Sequence, residues 1–137
     1  LKQDPIKEAT IKEITNNKNI ISVGSKSDVR PYLAISDVLV FPSYREGFPN
    51  VVLQAGAMEL PCIVTNISGC NEIIEEGKNG IIIPPKNKLA IANAMNFVID
   101  NKDKKEFFMK NARSMIESRY NQKLVWNAIL KEYNSLI

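Results

Sequence analysis

Apolar residues along the chain fall into short runs that are separated by stretches with helical spacing. Four runs are rich in Ile and Val and end at Gly, Pro, Ser or Asn, which predicts strands over residues 19–24, 37–43, 61–66 and 80–85. The run at 37–43 is apolar at successive positions, so we expect that strand to be buried on both faces. Cys62 lies inside the next run and is expected to behave as a small buried hydrophobe.

The segments between and after these runs carry the signals of helices. The first is expected to begin with Asp4 at the cap position and Pro5 in the first turn, and the fourth is expected to end at Gly77. The predicted helices cover residues 4–17, 29–36, 50–59, 71–76, 88–101, 103–118 and 121–136.

Two of these helices have apolar residues at a helical period. The helix at 88–101 is expected to present one apolar stripe, formed by Leu89, Ala92, Met95 and Val98. The last helix has a second stripe, for which ordinary core packing is the preferred interpretation, as it is for the neighbouring Trp126; this stripe consists of Val125, Ile129, Tyr133 and Leu136.

The alternation of strands and helices predicts the α/β class, with βαβ units that form a Rossmann-like parallel sheet flanked by helices. Residues 1–137 are expected to form one domain, because no linker, repeat or low-complexity segment divides them. Ligands of such sheets bind beyond the carboxyl ends of the strands, so those ends are the places to look for a site.

Composition and charge narrow the function. With 45% hydrophobic and 24% charged residues the chain fits the soluble globular class, and no apolar run approaches the ~20 residues of a membrane span. A net charge of +3 is too small to indicate a nucleic-acid partner. The absence of histidine removes the commonest general base and zinc ligand, and the two cysteines form no metal motif, so no metal and a reduced, cytoplasmic setting are expected.

The stretch SYREGFPNVVLQ, residues 43–54, turns from a strand into a helix through a charged corner. A helix that starts near Asn50 leaves its first N–H groups unpaired at the positive end of the helix dipole, where a phosphate can bind. Gly47 allows the backbone to approach such a ligand, Glu46 could accept hydrogen bonds from sugar hydroxyls, and Gln54 lies about one turn into the helix. A plain capped turn with a solvated Glu46 and a surface Gln54 explains the same residues equally well.

A similar stretch, TNISGCNEII at 65–74, leaves the next strand. By itself it predicts only a capped turn. Because it follows the neighbouring strand, we expect the two loops to line one crevice.

Taken in order, DVLVFPS, YREGFPNVVLQAGAM, LPCIVTNISGCNEII and EEGKNGIIIPP resemble the C-terminal, donor-binding domain of retaining GT-B glycosyltransferases, the large group called family four or group 1. The resemblance runs from about residue 20 to the end of the chain. It implies an enzyme that moves a sugar from a nucleoside-diphosphate-sugar to a glycan or lipid-linked acceptor with retained configuration, a hexosyltransferase of bacterial surface polysaccharide synthesis. It implies no cofactor other than this donor substrate.

The resemblance also implies roles for individual residues. Glu46 matches the first motif glutamate, which contacts the donor sugar and stabilises the reacting centre. The diphosphate would be held by the backbone around residues Gly47, Phe48, Pro49, Asn50 and Val51. The base would face the loop that starts at Gly24 and contains Ser25, Lys26 and Val29. The sugar end of the donor would be shaped by Ser68, Gly69 and Glu72.

Two features depart from the family pattern. Gln54 stands where the second motif glutamate accepts hydrogen bonds from the ribose, and the loss of a charge-assisted pair could cost about 1–2 kcal/mol, roughly tenfold in affinity. The family domain also opens with two strands and a helix ahead of the helix at 4–17, which bring an Arg and a Lys to the diphosphate. We therefore expect an N-terminally truncated sheet that lacks its first strands, or one completed by another copy, with exposed strand edges that pair between chains.

Further expectations concern partners and alternatives. The N-terminal acceptor domain is expected to be absent, so the chain alone should be inactive, and the whole enzyme is expected at the inner face of the bacterial membrane. A non-catalytic domain that kept the fold and lost donor binding is the main alternative, and Gln54 favours it. A dinucleotide enzyme is disfavoured because no G-x-G-x-x-G follows a strand, and an interaction module rests only on the basic segment after Lys102.

Overall fold

A computed structural model describes residues 6–136. Its three strands, β1 (Leu39–Phe41), β2 (Cys62–Thr65) and β3 (Gly80–Ile83), form one parallel sheet in the order β1-β2-β3. Seven helices precede, connect and follow them within residues 6–136: α1 (Glu8–Asn16), α2 (Arg30–Ala34), α3 (Asn50–Ala57), α4 (Cys70–Ile73), α5 (Lys88–Asp100), α6 (Lys102–Tyr120) and α7 (Gln122–Ser135). The predicted parallel α/β sheet flanked by helices is confirmed.

The central strand β2 is buried at all four positions, because it has a neighbour on each side and helices on both faces. Its side chains alternate between two cores. Cys62 and Val64 point into a core formed with α3 and α4, whereas Ile63 points into a second core formed with α5. Burial of Cys62 confirms the expectation for this residue and raises the pKa of its thiol to about 12.

Helix α6 packs against both cores and ties them together. Phe108 joins the core on the α5 side, and Ile116 joins the core on the α3 side. Helix α3 approaches α6 closely at Gly56, where a Cβ would lie 2.7 Å from the Ile116 side chain. Since α3 begins at the charged corner, this packing gives that corner a rigid support.

Three sequence predictions about strands and stripes are wrong. Residues 19–24 form no strand, and Ile21 is 83% exposed, because no neighbouring strand pairs with this segment within residues 6–136. Strand β1 is half-buried rather than buried, because it lies at a sheet edge. Of the predicted α5 stripe only Val98 is buried, where it shares the buried face with Ala94, and Leu89 of that stripe is 66% exposed.

Helix boundaries and the C-terminal helix also differ from expectation. The cap predicted at Asp4 and Pro5 lies outside the described residues, and α1 begins at Glu8 after Lys7, which makes no side-chain capping bond. Helix α4 ends at Ile73, four residues before Gly77. Core packing was expected for Val125, Ile129, Tyr133, Leu136 and Trp126, but all five side chains are 47–76% exposed because no described element covers α7 on that side.

Among residues 6–136, no helix combines the length and the apolar character that crossing a lipid bilayer requires. Within the same part of the chain, no group of three or more His, Cys, Asp or Glu side chains is arranged to hold a metal ion.

Candidate functional site

The corner at residues 43–50 lies beyond the carboxyl end of β1 and leads directly into α3. Pro49 is the buried N-cap residue, and its extended backbone turns the chain into the helix. The first helical hydrogen bonds run from the N–H groups of Val52 and Leu53 to the Pro49 carbonyl. The N–H groups of Asn50 and Val51 therefore have no acceptor among residues 6–136, which leaves two donors at the positive end of the α3 dipole.

The loop at 66–69, beyond the carboxyl end of β2, touches this corner. Gly69 has φ +82°, and a Cβ at this position would lie within 3.0 Å of the Gly47 carbonyl oxygen and 3.2 Å from Pro49 Cδ. Only glycine permits both this backbone conformation and this approach. The two strand-end loops therefore meet, and the expectation that they line one ligand crevice stays a prediction.

Glu46 is half-buried in the corner, and its orientation is set by a neighbour. The Ser43 hydroxyl donates a hydrogen bond of 2.6 Å to Glu46 Oε1. The Glu46 carboxylate also lies close enough to α4 for its charge to raise the pKa of the Cys70 thiol, although burial contributes more to that rise. Glu46 thus lies between the end of β1 and the start of α4.

A cleft of about 530 Å³ lies on the other side of α3, between that helix and the loop that precedes α2. It brings Lys26, Val29 and Gln54 together, as their predicted roles require, with Asp28 and Arg30 beside them. The Asp28 and Arg30 side chains share two hydrogen bonds of 2.8 and 2.9 Å. Hydrogen bonds from Arg30 lower the pKa of Asp28 to about 2. Ser25 does not line this cleft.

Glu72 is engaged in holding its own loop. Its Oε1 accepts hydrogen bonds of 3.1 Å from the Ser68 hydroxyl and from the Gly69 N–H, which fixes the loop at the start of α4. Ser68 and Glu72 therefore stabilise the turn that presses Gly69 against the corner. Glu72 Oε1 has little capacity left for a ligand.

Phe48 is 43% exposed, and its ring makes an edge-on contact with Tyr120, with ring centroids 5.3 Å apart. Tyr120 ends α6 and donates a hydrogen bond of 2.7 Å to the carbonyl of Glu72, to which Arg119 also donates. The end of α6 thus holds both strand-end loops. Sequence reasoning missed Tyr120 and Arg119, because nothing near them in the chain marks a contact with residues 48 and 72.

Sequence reasoning also missed the hydrogen bond between Thr65, at the end of β2, and Ser43, at the start of the corner. Thr65, at the end of β2, is 1% exposed, and its hydroxyl donates a hydrogen bond to the Ser43 carbonyl. A buried threonine at the carboxyl end of a strand was a signal available in TNISG. Thr65 and Ser43 link the central strand to Glu46.

The chain is similar in sequence to known proteins. The chain matches the family model described as Glycosyl transferases group 1 over residues 3–115. It is 29% identical over 135 residues to the capsular polysaccharide biosynthesis glycosyltransferase CapM of Staphylococcus aureus, covering 98% of this chain and 36% of that protein. It is 35% identical over 104 residues to the UDP-Gal:alpha-D-GlcNAc-diphosphoundecaprenol alpha-1,3-galactosyltransferase of Escherichia coli, covering 76% of this chain and 27% of that enzyme.

Solved structures show the same fold. Anabaena Alr3699/HepE in complex with UDP superposes with a TM-score of 0.87 at 22% identity, covering 93% of this chain and 36% of that one. The C-terminal domain of LpcC, a glycosyl transferase group 1 family protein of Francisella tularensis, superposes with a TM-score of 0.73 at 25% identity, covering 84% of this chain and 60% of that one. The chain spans about a third of the length of the curated relatives it matches, 36% of CapM and 27% of the galactosyltransferase.

Proposed function

Because the chain belongs to the group 1 glycosyl transferases, we propose that it is the donor-binding part of a retaining glycosyltransferase that uses a nucleoside-diphosphate-sugar. The contact of Gly69 with the corner at Gly47 and Pro49 carries this proposal, because it brings both strand-end loops to the unpaired N–H groups of α3. An anionic diphosphate fits that position, with a sugar on the Glu46 side and a nucleoside on the Gln54 side.

Each part of the donor has matching chemistry. The N–H groups of Asn50 and Val51 and the α3 dipole would stabilise the negative charge that develops on the leaving diphosphate, without a resident metal or cofactor. The carboxylate of Glu46 would accept hydrogen bonds from sugar hydroxyls next to the reacting carbon. The cleft of about 530 Å³ that contains Gln54 and Lys26 would take the nucleoside.

The wider role follows from the relatives. Their names include capsular polysaccharide biosynthesis and transfer of galactose from UDP-Gal to a sugar on diphosphoundecaprenol, and a structural neighbour was solved with UDP-glucose. We therefore propose a bacterial hexosyltransferase that makes surface polysaccharide in the cytoplasm, at the inner face of the membrane. A separate N-terminal domain would bind the acceptor, and residues 1–137 alone would be inactive.

Gln54 favours one alternative, a domain that kept this fold and lost donor binding. A glutamine offers one acceptor oxygen to a ribose where a carboxylate offers two charged ones. Gln54 is exposed and lines the cleft, so substitution to glutamate needs no rearrangement of the core.

The test is a titration of the chain with UDP, GDP and ADP, followed by backbone amide chemical shifts. One nucleotide is expected to shift the amides of residues 47–54, and Gln54→Glu is expected to tighten its binding roughly tenfold through a charge-assisted hydrogen bond. Gln122→Glu, at an exposed position on α7, is the matched control and should leave the affinity unchanged. If none of the three nucleotides shifts residues 47–54 in either the wild-type chain or Gln54→Glu, the proposed donor site is wrong.

A further inference from the structure

The side chain of Glu46 is held by a chain of hydrogen bonds that begins in the centre of the sheet. Thr65 ends the central strand β2, where the hydroxyl lies in the interior and donates to the Ser43 carbonyl. The Ser43 hydroxyl in turn donates to Glu46 Oε1 over 2.6 Å and makes a weaker contact of 3.4 Å with the Arg45 carbonyl.

The hydrogen bond from Thr65 to Ser43 forms where the β1–β2 ladder ends. The last paired residue of β1 is Phe41, two residues before Ser43. Beyond it the backbone of β1 has no further ladder to β2, and the Thr65 hydroxyl replaces that ladder by binding the Ser43 carbonyl. The point at which the corner leaves the sheet is therefore set by a side chain on the neighbouring strand.

We propose that Ser43 and Thr65 are positioning residues that aim the Glu46 carboxylate at the donor sugar, a role that rests on the proposed function. An acceptor oxygen contributes more to sugar binding when its position is set before the ligand arrives, because binding then need not order its side chain. Ser43 occupies Oε1 and leaves Oε2 as the oxygen free to accept a sugar hydroxyl. Thr65 keeps Ser43 in place from within the core.

Two pairs of substitutions distinguish the loss of a hydroxyl hydrogen bond from a change in side-chain shape at residues 65 and 43. Thr65→Val keeps the branched shape and removes the hydroxyl, whereas Thr65→Ser keeps the hydroxyl. Ser43→Ala removes the donor to Glu46, whereas Ser43→Thr retains it. In the ligand-free chain, Thr65→Val and Ser43→Ala are both expected to shift the carboxyl ¹³C resonance of Glu46, and the two conservative variants are expected to leave it near its wild-type position.

The functional readout is the ratio of the dissociation constants for UDP-glucose and UDP, measured by calorimetry on the same four variants and the wild type. Loss of positioning should weaken UDP-glucose roughly fivefold in Thr65→Val and Ser43→Ala, in keeping with one hydrogen bond, and should leave UDP unchanged. A merely structural role would weaken both ligands together.

The outcomes are distinguishable. If the wild-type chain binds UDP-glucose and Thr65→Val behaves like Thr65→Ser in both the Glu46 resonance and the affinity ratio, the positioning role is wrong and the proposed function stands. If Ser43→Ala moves the Glu46 resonance and Thr65→Val does not, the role of Thr65 is wrong. A wild-type chain that binds neither UDP nor UDP-glucose overturns this role together with a uridine-dependent donor site.

Discussion

The two edges of the three-stranded sheet are finished in different ways. On β3, the outward carbonyl of Gly80 accepts a hydrogen bond of 3.0 Å from the Gly77 N–H, and the outward N–H of Ile82 donates to the Glu76 carboxylate. On β1, the outward backbone groups belong to Val40, because Leu39 bonds towards β2. Neither the N–H nor the carbonyl of Val40 has a hydrogen-bond partner within residues 6–136.

The difference shows which edge the local sequence can close. Glu76 and Gly77 lie only a few residues before the groups they bind, so the turn that leads into β3 also covers its edge. Val40 has no such turn nearby, and its edge can be paired only by a strand that comes from farther away or from another chain. We therefore expect the β1 edge to be the one that pairs with a further strand, from the same protein or from another chain, and the β3 edge to be the outer boundary of the sheet.

The largest expected effect comes from separating β3 from the sheet. In Gly80→Ala the new Cβ would lie within 3.0 Å of the Cys62 carbonyl on β2, and that backbone cannot move without breaking the ladder. We expect a loss of about 3 kcal/mol in the free energy of unfolding, measured by urea denaturation. Gly47→Ala is the control, because a Cβ there meets no heavy atom within 4 Å. Equal stabilities of the two variants would contradict this account of β3.

A smaller effect is expected from opening the β3 edge alone. Glu76→Ala leaves the Ile82 N–H without its carboxylate and should cost about 1 kcal/mol of stability. Glu76→Gln retains an acceptor and should cost less. Hydrogen exchange of the Ile82 amide is the direct measurement: it should become faster in Glu76→Ala and change little in Glu76→Gln. Unchanged exchange in both variants would show that Glu76 does not cover this edge.

The smallest effect on stability is expected at the open edge. Val40→Pro removes only the outward N–H of β1, a position at which edge strands tolerate proline. Association of the chain with itself, followed by sedimentation velocity over a range of concentrations, should be present in the wild type and weaker in Val40→Pro. Association of equal strength in both chains would place the contact elsewhere, for which the exposed α7 residues Trp126 and Leu130 are the next candidates.

The contrast between the edges also explains which predictions succeeded. The strands predicted at 61–66 and 80–85 are present as β2 and β3, because their Ile and Val residues find partners within the chain. The equally apolar segment at 19–24 forms no strand. An apolar run indicates only a preference for strand structure, and a hydrogen-bonded ladder also needs a second strand beside it. The α5 stripe was wrong at Leu89, Ala92 and Met95 for a related reason, since the spacing identified a helix but did not show which face meets Phe108.

Two kinds of information in the sequence predicted parts of the candidate site: signals from adjacent residues, and the rule that parallel strands end at one edge of a sheet. The corner, its glycine and the helix start at Asn50 were predicted because turn chemistry and helix caps depend on adjacent residues. The two loops were expected to meet because parallel strands end at one edge of the sheet, and the contact at Gly69 agrees. The roles of the individual side chains in donor binding stay predictions.

The sequence by itself determined the α/β class, the order of the elements from residue 29 onward and the two loops that meet at Gly69, because hydrophobic period, turn residues and strand ends act over a few positions. Only the tertiary structure decided that Thr65 holds Ser43 and that Tyr120 supports Phe48. The physical reason is that these contacts join residues 22 and 72 positions apart, whose proximity depends on how the whole core packs.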